Sequence, residues 1–238
     1  MFDKKTILIT GATSGIGLET AKYLKKNGYD LVLVGRNKEK VESVCSELNI
    51  FARYICDLEE IEKIGGIFKY CLDTNIKLDG FVHAAGYAIN MPIRNYKLEH
   101  AEKQMKLNYY AFLELCKCFY SRKISNDGSS IVALSSISAS KKLKGSVLYS
   151  ASKSALNTAV VISAREYVKR HIRVNALMPA YVDTRMNEGL EDFIDIKKEQ
   201  PMGLIPPVEV AKCIGFLLSD NSKYITGSLI PISAGMEF

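Results

Sequence analysis

The sequence predicts an α/β fold, a doubly wound parallel sheet of about seven strands with helices on both faces. Three observations predict it. Apolar runs of strand length alternate along the chain with stretches whose apolar residues recur at helical spacing. Strands separated by helices pair in parallel through right-handed crossovers, which leaves both sheet faces covered. A glycine-rich turn also joins the first strand directly to the first helix. With 238 residues, 47% of them apolar, the chain can bury a sizeable core, and residues 1–238 are read as a single domain.

The elements follow in order. Ile7-Leu8-Ile9 reads as a buried strand that ends in the glycine turn, and residues 16–26 carry apolar side chains at 16, 18, 21 and 24. Leu31 to Val34 is a strand, 38–48 a helix, Phe51 to Cys56 a strand and 59–72 a helix, with Phe81-Val82 at the centre of the next strand. A long helical stretch at 97–122 precedes a strand at Ile131 to Leu134, and a helix from about 148 to 169 leads to a strand at Ile172 to Ala176. A last helix near 207–218 precedes Leu229 to Ile232. Residues 181–206 are polar and bounded by Pro179 and Pro206-Pro207, and are expected to form a substrate flap over the carboxyl ends of the strands, where such sheets bind ligands.

Composition excludes several functions. Charges at positions 3 to 5 followed by a short apolar run fit neither a signal peptide nor a membrane anchor, and no apolar run approaches the roughly 20 residues of a membrane span. A soluble, cytoplasmic protein is expected. The six cysteines form no C-x-x-C pair and the three histidines are scattered, so a metal site is not expected and the thiols read as reduced and buried. The net charge of +6 is spread along the chain. Its densest run, Lys141-Lys142-Leu143-Lys144, is short and has no interleaved aromatics, which argues against nucleic acid.

Two stretches carry chemistry. Thr10-Gly11-Ala12-Thr13-Ser14-Gly15-Ile16-Gly17 lies between strand and helix, where glycines let backbone approach a pyrophosphate and the helix N-terminus attracts it. The spacing G-x-x-x-G-x-G differs from the G-x-G-x-x-G fingerprint. At the end of the second strand, where NAD-binding folds place an acid for the ribose 2′-hydroxyl, the chain has Gly35 followed by Arg36. A guanidinium there suits a 2′-phosphate, so NADP(H) is preferred over NAD(H). In the second stretch, Tyr149-Ser150-Ala151-Ser152-Lys153 opens a predicted helix, so phenol and ammonium share a face one turn apart. A free phenol titrates at about 10, and bringing it to neutrality takes roughly 4 kcal/mol. One positive charge about 4 Å away, at an effective dielectric of about 20, contributes on the order of 4 kcal/mol. Lys153 is therefore expected to lower the phenol's pKa, and a hydroxyl cluster, Ser135-Ser136-Ile137-Ser138, lies just upstream.

With Thr10 to Gly17, Asn108, Ser136, Tyr149-x-x-x-Lys153 and Pro179-Ala180-Tyr181-Val182-Asp183-Thr184 in this order, the whole chain resembles the compact, single-domain, Rossmann-like short-chain dehydrogenases/reductases. The resemblance implies hydride transfer between a nicotinamide cofactor and a carbonyl or secondary alcohol. It makes Asn108, Ser136, Tyr149 and Lys153 catalytic. Tyr149 would exchange the proton, Ser136 bond the same oxygen, Lys153 hold the nicotinamide ribose, and Asn108 position a water in a proton relay. It implies cofactor contacts at Gly11, Thr13, Ser14, Gly15, Ile16, Gly17, Arg36, Asp57, Leu58, Ala85, Gly86, Tyr149, Lys153, Pro179, Val182 and Thr184. Among these, Asp57 faces the adenine, and Val182 and Thr184 the carboxamide. The chain departs from the family where His83-Ala84-Ala85-Gly86 replaces Asn-Asn-Ala-Gly, Pro179-Ala180 replaces Pro-Gly, and Ser233-Ala234-Gly235 replaces an acidic, glycine-rich end.

Several readings remain open. A 3-oxoacyl-acyl-carrier-protein reductase would meet an acidic carrier, for which Lys169-Arg170 offers positive charge, whereas a sugar, steroid or small-ketone reductase needs no carrier. A non-catalytic NADP(H) sensor would be expected to lose Tyr149 or Lys153, and both are present. The family's habit, together with apolar residues on several sides of 97–122, predicts a homo-oligomer, a tetramer or a dimer.

Overall fold

The computed structural model describes residues 4–188 and 195–237. Strand β1 (Thr6–Thr10) runs into α1 (Gly15–Lys26), β2 (Asp30–Gly35) into α2 (Lys38–Glu47), and β3 (Ala52–Ile55) into α3 (Gly65–Asp73). Asn37 caps α2, accepting the Lys40 N–H at 2.9 Å, a bond worth ~1 kcal/mol. The helix expected at 59–72 starts later because Asp57 folds the chain into a turn first. Its carboxylate accepts the Glu59 N–H at 3.0 Å and its carbonyl the Glu60 N–H at 3.1 Å, and a 3-10 turn over Ile61–Lys63 follows.

β4 (Leu78–His83) leads to the stretch expected as one helix at 97–122, which is broken into α4 (Leu98–Met105), a π turn at Lys106–Tyr110 and α5 (Ala111–Phe119). π turns widen a helix by one residue and cluster at functional sites; Asn108 is in this one. β5 (Ser125–Leu134) begins earlier than predicted. The polar Asn126-Asp127-Gly128 reads as loop, but Ser125 pairs with Leu78 and the register shifts before Gly80 meets Ser130. There follow α6 (Ser138–Lys141), α7 (Val147–Tyr167), β6 (Arg173–Pro179), α8 (Ile196–Glu199), α9 (Pro207–Leu218) and β7 (Leu229–Ile232).

The seven strands are parallel, in the order β3-β2-β1-β4-β5-β6-β7. Alternation along the strands divides the core. Leu8, Phe81, Ile131 and Val174 pack with Phe112, Leu115 and Val160 of α5 and α7, while Ile7, Ile9, Val82 and Val132 pack with Leu24, Val41 and Ile214 of α1, α2 and α9. The edge strand β3 is only half covered, and its residues alternate between intermediate and exposed. Because the order reverses between β1 and β4, a crevice opens at their carboxyl ends, the place such sheets bind ligands.

Two buried guanidinium groups tie down the far end of the sheet. Arg173 donates to the carbonyls of Leu217 (2.6 Å) and Ser219 (3.1 Å), neutralising the negative end of α9. Arg170 donates to Asp127 (2.7 Å), the Ser125 carbonyl (2.8 Å) and the Tyr120 carbonyl. Residues 189–194 of the expected flap at 181–206 lie outside the described residues. The described ends of that stretch are joined: Val182 bridges Ile205, and the buried Gln200 amide accepts the Tyr181 N–H at 2.9 Å while donating to the Tyr181 carbonyl at 3.0 Å.

Candidate active site

The turn between β1 and α1 is built for close approach. Gly11 has φ +69°, and a Cβ there would stand 2.7 Å from the Ala85 nitrogen; a Cβ on Gly17 would overlap the Gly11 carbonyl oxygen. Ser14 opens α1 without a side-chain cap among the described residues, so the first N–H groups and the positive end of the helix face outward. These features fit a pyrophosphate. The turn forms one wall of a cleft of ≈ 370 Å³ that extends past Arg36 at the end of β2, Asp57 and Leu58 after β3, Ala85 and Gly86 after β4, and Thr184 after β6. Thr13, Gly15 and Ile16 also line it, and Thr184 lies 3.4 Å from where a Gly15 Cβ would be. Twelve of the sixteen predicted cofactor positions thus come from five separate stretches of chain to one cleft, while Tyr149, Lys153, Pro179 and Val182 are not among its lining residues.

The lining residues that were not singled out from the sequence as cofactor contacts include Lys40, Glu59, Tyr87 and Lys103. Glu59 Oε1 is 3.1 Å from Lys103 Nζ and 3.8 Å from an Arg36 nitrogen, and Lys103 Nζ sits 5.0 Å from the Tyr87 ring centre. Their sequence positions carry no signal, because the fold of β3, β4 and α4 brings them together.

At the other end, α7 carries Tyr149 and Lys153 on one face, with Lys153 Nζ 5.8 Å from the centre of the Tyr149 ring. The Lys153 ammonium donates to the Leu134 carbonyl at 2.7 Å and stands 3.6 Å from where a Gly86 Cβ would be; both Leu134 and Gly86 line the cleft. The expected lowering of the phenol by Lys153 is not what the structure has. Burial pushes Tyr149 above its ordinary pKa, and the Ser136 hydroxyl opposes that rise. Burial also brings Lys153 down to about 8. One of the three N–H groups of the lysine goes to the Leu134 carbonyl, a partner the spacing of four could not reveal. Ser136 Oγ accepts the Ser138 N–H at 3.1 Å, in the bend after β5.

Asn108 is fully buried and satisfied. Its amide donates to the Tyr87 carbonyl and to Ser152 Oγ, each at 2.9 Å, and accepts the Tyr87 N–H at 2.9 Å, linking the π turn to the β4 loop and α7. His83 is also fully buried. Its Nε2 is 3.2 Å from the Leu107 carbonyl, which can only accept, so Nε2 carries the proton and Nδ1 accepts from the Thr10 hydroxyl at 3.1 Å. Burial and the nearby Lys153 hold its pKa down to about 3, so the ring is neutral. Pro179 and Val182 take their places through the backbone, with the Pro179 carbonyl accepting the Ile137 N–H at 3.2 Å and the Val182 carbonyl accepting from the Asn187 side chain at 2.8 Å. Among the described residues there is no cluster of His, Cys, Asp or Glu fit for a metal, and no helix is long and apolar enough to cross a membrane.

A switch-point cleft with a glycine-lined helix start defines a dinucleotide-binding α/β protein. A family model described as enoyl-(acyl carrier protein) reductase matches residues 11–237. The chain is 29% identical over 234 residues to carbonyl reductase family member 4 of Xenopus laevis, covering 98% of each. It is also 29% identical over 235 residues to a human 3-oxoacyl-[acyl-carrier-protein] reductase, again covering 98% of each. A short-chain dehydrogenase/reductase structure from Mycobacterium ulcerans superposes with a TM-score of 0.90 at 26% identity, over 98% of this chain and 90% of that one. The chain belongs to the short-chain dehydrogenase/reductase family and is an oxidoreductase of that type.

Proposed function

We propose that the protein is an NADP(H)-dependent reductase or dehydrogenase that interconverts a carbonyl and a secondary alcohol. The observation that carries this reading is the Tyr149–Lys153 pair, held beside Ser136 where Leu134 and Gly86 close the cleft. Gly11, Thr13, Ser14, Gly15, Ile16 and Gly17 would hold the pyrophosphate and Asp57 and Leu58 the adenine. Ala85, Gly86, Pro179, Val182 and Thr184 would border the nicotinamide end. When bound, the nicotinamide supplies or accepts the hydride. In reduction Tyr149 gives its proton to the carbonyl oxygen while Ser136 donates a hydrogen bond to the same atom, and in oxidation the phenolate takes the proton back. Lys153 bonds the ribose and makes good the phenol's negative charge, and Asn108 holds the π turn through which a water relays the proton.

Preference for NADP(H) is supported by a steric reason at the end of β2. A Cβ on Gly35 would stand 2.8 Å from Val41 Cγ2, which leaves no room for the acid of NAD-binding folds, and Arg36 follows at the cleft wall. Arg36, Lys40, Lys103 and Arg185 line the cleft against Asp57 and Glu59, a positive balance suited to a polyphosphate.

For the substrate, the human relative named as a 3-oxoacyl-carrier-protein reductase supports a carrier-bound thioester, and the carbonyl reductase relatives support a free ketone such as a sugar or steroid. Arg170 is withdrawn from any docking role, because its guanidinium is buried against Asp127 and Ser125. The chain is read as one cytoplasmic domain over 1–238, with 181–206 as substrate flap, assembling as a homotetramer or dimer. Fluorescence titration with NADPH and NADH, then NADPH oxidation against ketones that include a 3-oxoacyl thioester, tests the reading. Thioester turnover points to acyl chains and ketone turnover alone to a free substrate. NADPH binding with no turnover favours the sensor, and failure to bind either dinucleotide overturns the assignment.

A further inference from the structure

The acid that is missing from the end of β2 has a substitute on the neighbouring strand. A side chain on Gly35 would have to displace Val41, whose Cγ2 lies 2.8 Å from the Cβ position, and would press on Thr13 at 3.3 Å. Glu59, two residues beyond Asp57 in the turn after β3, reaches across to the same corner of the cleft and comes within 3.8 Å of the Arg36 guanidinium. Its Oε1 is buried and receives no hydrogen bond among the described residues, although Lys103 Nζ lies 3.1 Å away as a charge partner. The Glu59 side chain as a whole keeps 25% of its surface exposed and lines the cleft, so its carboxylate is an acceptor within reach of a ligand. No residue of the β2 turn offers an equivalent one.

We propose that Glu59 is the residue that sets cofactor selectivity, keeping NAD(H) usable in a cleft otherwise biased to NADP(H). The inference rests on the dinucleotide reading above. With a ribose 2′-hydroxyl, the Glu59 carboxylate accepts its hydrogen bond, as the acid after β2 does in NAD-binding folds. With a 2′-phosphate, the phosphate takes over Arg36 and stands beside a like charge, which weakens NADP(H) binding and leaves Glu59 to Lys103 alone. Arg36 and Glu59 therefore act as an exchangeable ion pair, and the affinity ratio reflects their competition.

The test is the dissociation constant of NADPH and of NADH, read by fluorescence without turnover, for the wild type, Glu59→Gln and Arg36→Ala. Gln removes the charge while keeping the shape. NADPH should bind several-fold tighter and NADH no tighter, so the NADPH-to-NADH preference rises by roughly tenfold, an effect that shrinks at high salt. Arg36→Ala should move the ratio the opposite way. A ratio that Glu59→Gln leaves unchanged or lowers, while Arg36→Ala abolishes NADPH preference, overturns the role of Glu59 and leaves the NADP(H) reading standing. If the wild type binds neither dinucleotide, both fall. Should Glu59→Gln fold poorly by thermal melt, Glu59→Asp, which keeps the charge but retracts it from Arg36, gives the same sign with a smaller shift, and an unchanged ratio there counts equally against the proposal.

Discussion

Tyr149 and Lys153 are four residues apart on α7, and that spacing places them on one face, but their ionisation is decided by burial. Tyr149→Phe should lower kcat by roughly 10²–10⁴ with the dissociation constant for NADPH nearly unchanged, and residual turnover near wild type would remove the phenol from the proton transfer. Because Lys153 is held down to about 8, it loses its proton above that pH in the free protein. The pH profile of kcat/KM for reduction, which reports the free enzyme, should therefore break downward near that value, and a flat profile through it would count against the lysine. His83 gives a stability effect of its own. Its pKa falls from an ordinary 6.5 to about 3 on folding, so the unfolded chain binds the proton first as pH drops. The stabilisation is complete above the unfolded value and is lost as pH falls from there toward 3, to the extent of on the order of 5 kcal/mol. Urea unfolding of His83→Asn across that range should show a shallower pH dependence than the wild type. Sequence comparison marked His83 only as a departure. Its bonds to Thr10 and Leu107 join residues far apart in the chain, so no local pattern announces them.

Elements gain their local character from contacts beyond their own sequence. Residues 97–122 have helical periodicity throughout, yet the π turn appears where Asn108 bonds both backbone groups of Tyr87 and the hydroxyl of Ser152. Periodicity describes which face is apolar and is silent on a one-residue widening. β5 likewise runs back to Ser125 because Leu78 and Arg170 hold it there, against the turn-forming residues Asn126 to Gly128. Arg170→Met should strip several carbonyl and carboxylate partners and lower stability by roughly 2–4 kcal/mol, seen as a fall in the urea midpoint at constant slope. If Arg170 served a carrier protein instead, the same substitution would raise KM for the thioester and leave the midpoint in place. The start of α1 and the ends of β1 and β2 were legible to within a residue, since glycine turns are local devices, whereas the Asn37 cap of α2 was read only from the structure.

For the whole molecule, the order of strands and helices implied a parallel sheet covered on both faces, and the structure has seven strands so arranged. Exposed Tyr110 and Leu113 near α5 and Ile162 on α7 give two helices apolar outer surfaces that a homo-oligomer would bury. Sedimentation should give the mass of a tetramer, and Leu113→Glu with Ile162→Glu should reduce it; a monomeric wild type would end the oligomer expectation. The sequence alone determined the succession of elements, the glycine turn, Arg36 without an acid before it, and the Tyr149–Lys153 spacing, because each depends on neighbours within a few turns or strands. Only the tertiary structure decided that Glu59 faces Arg36, that Arg170 is buried and unable to dock a partner, and that Lys153 donates to Leu134. Those relations join residues from separate crossovers, and their energies come from burial and geometry that exist only once the sheet has closed its two layers of helices around it.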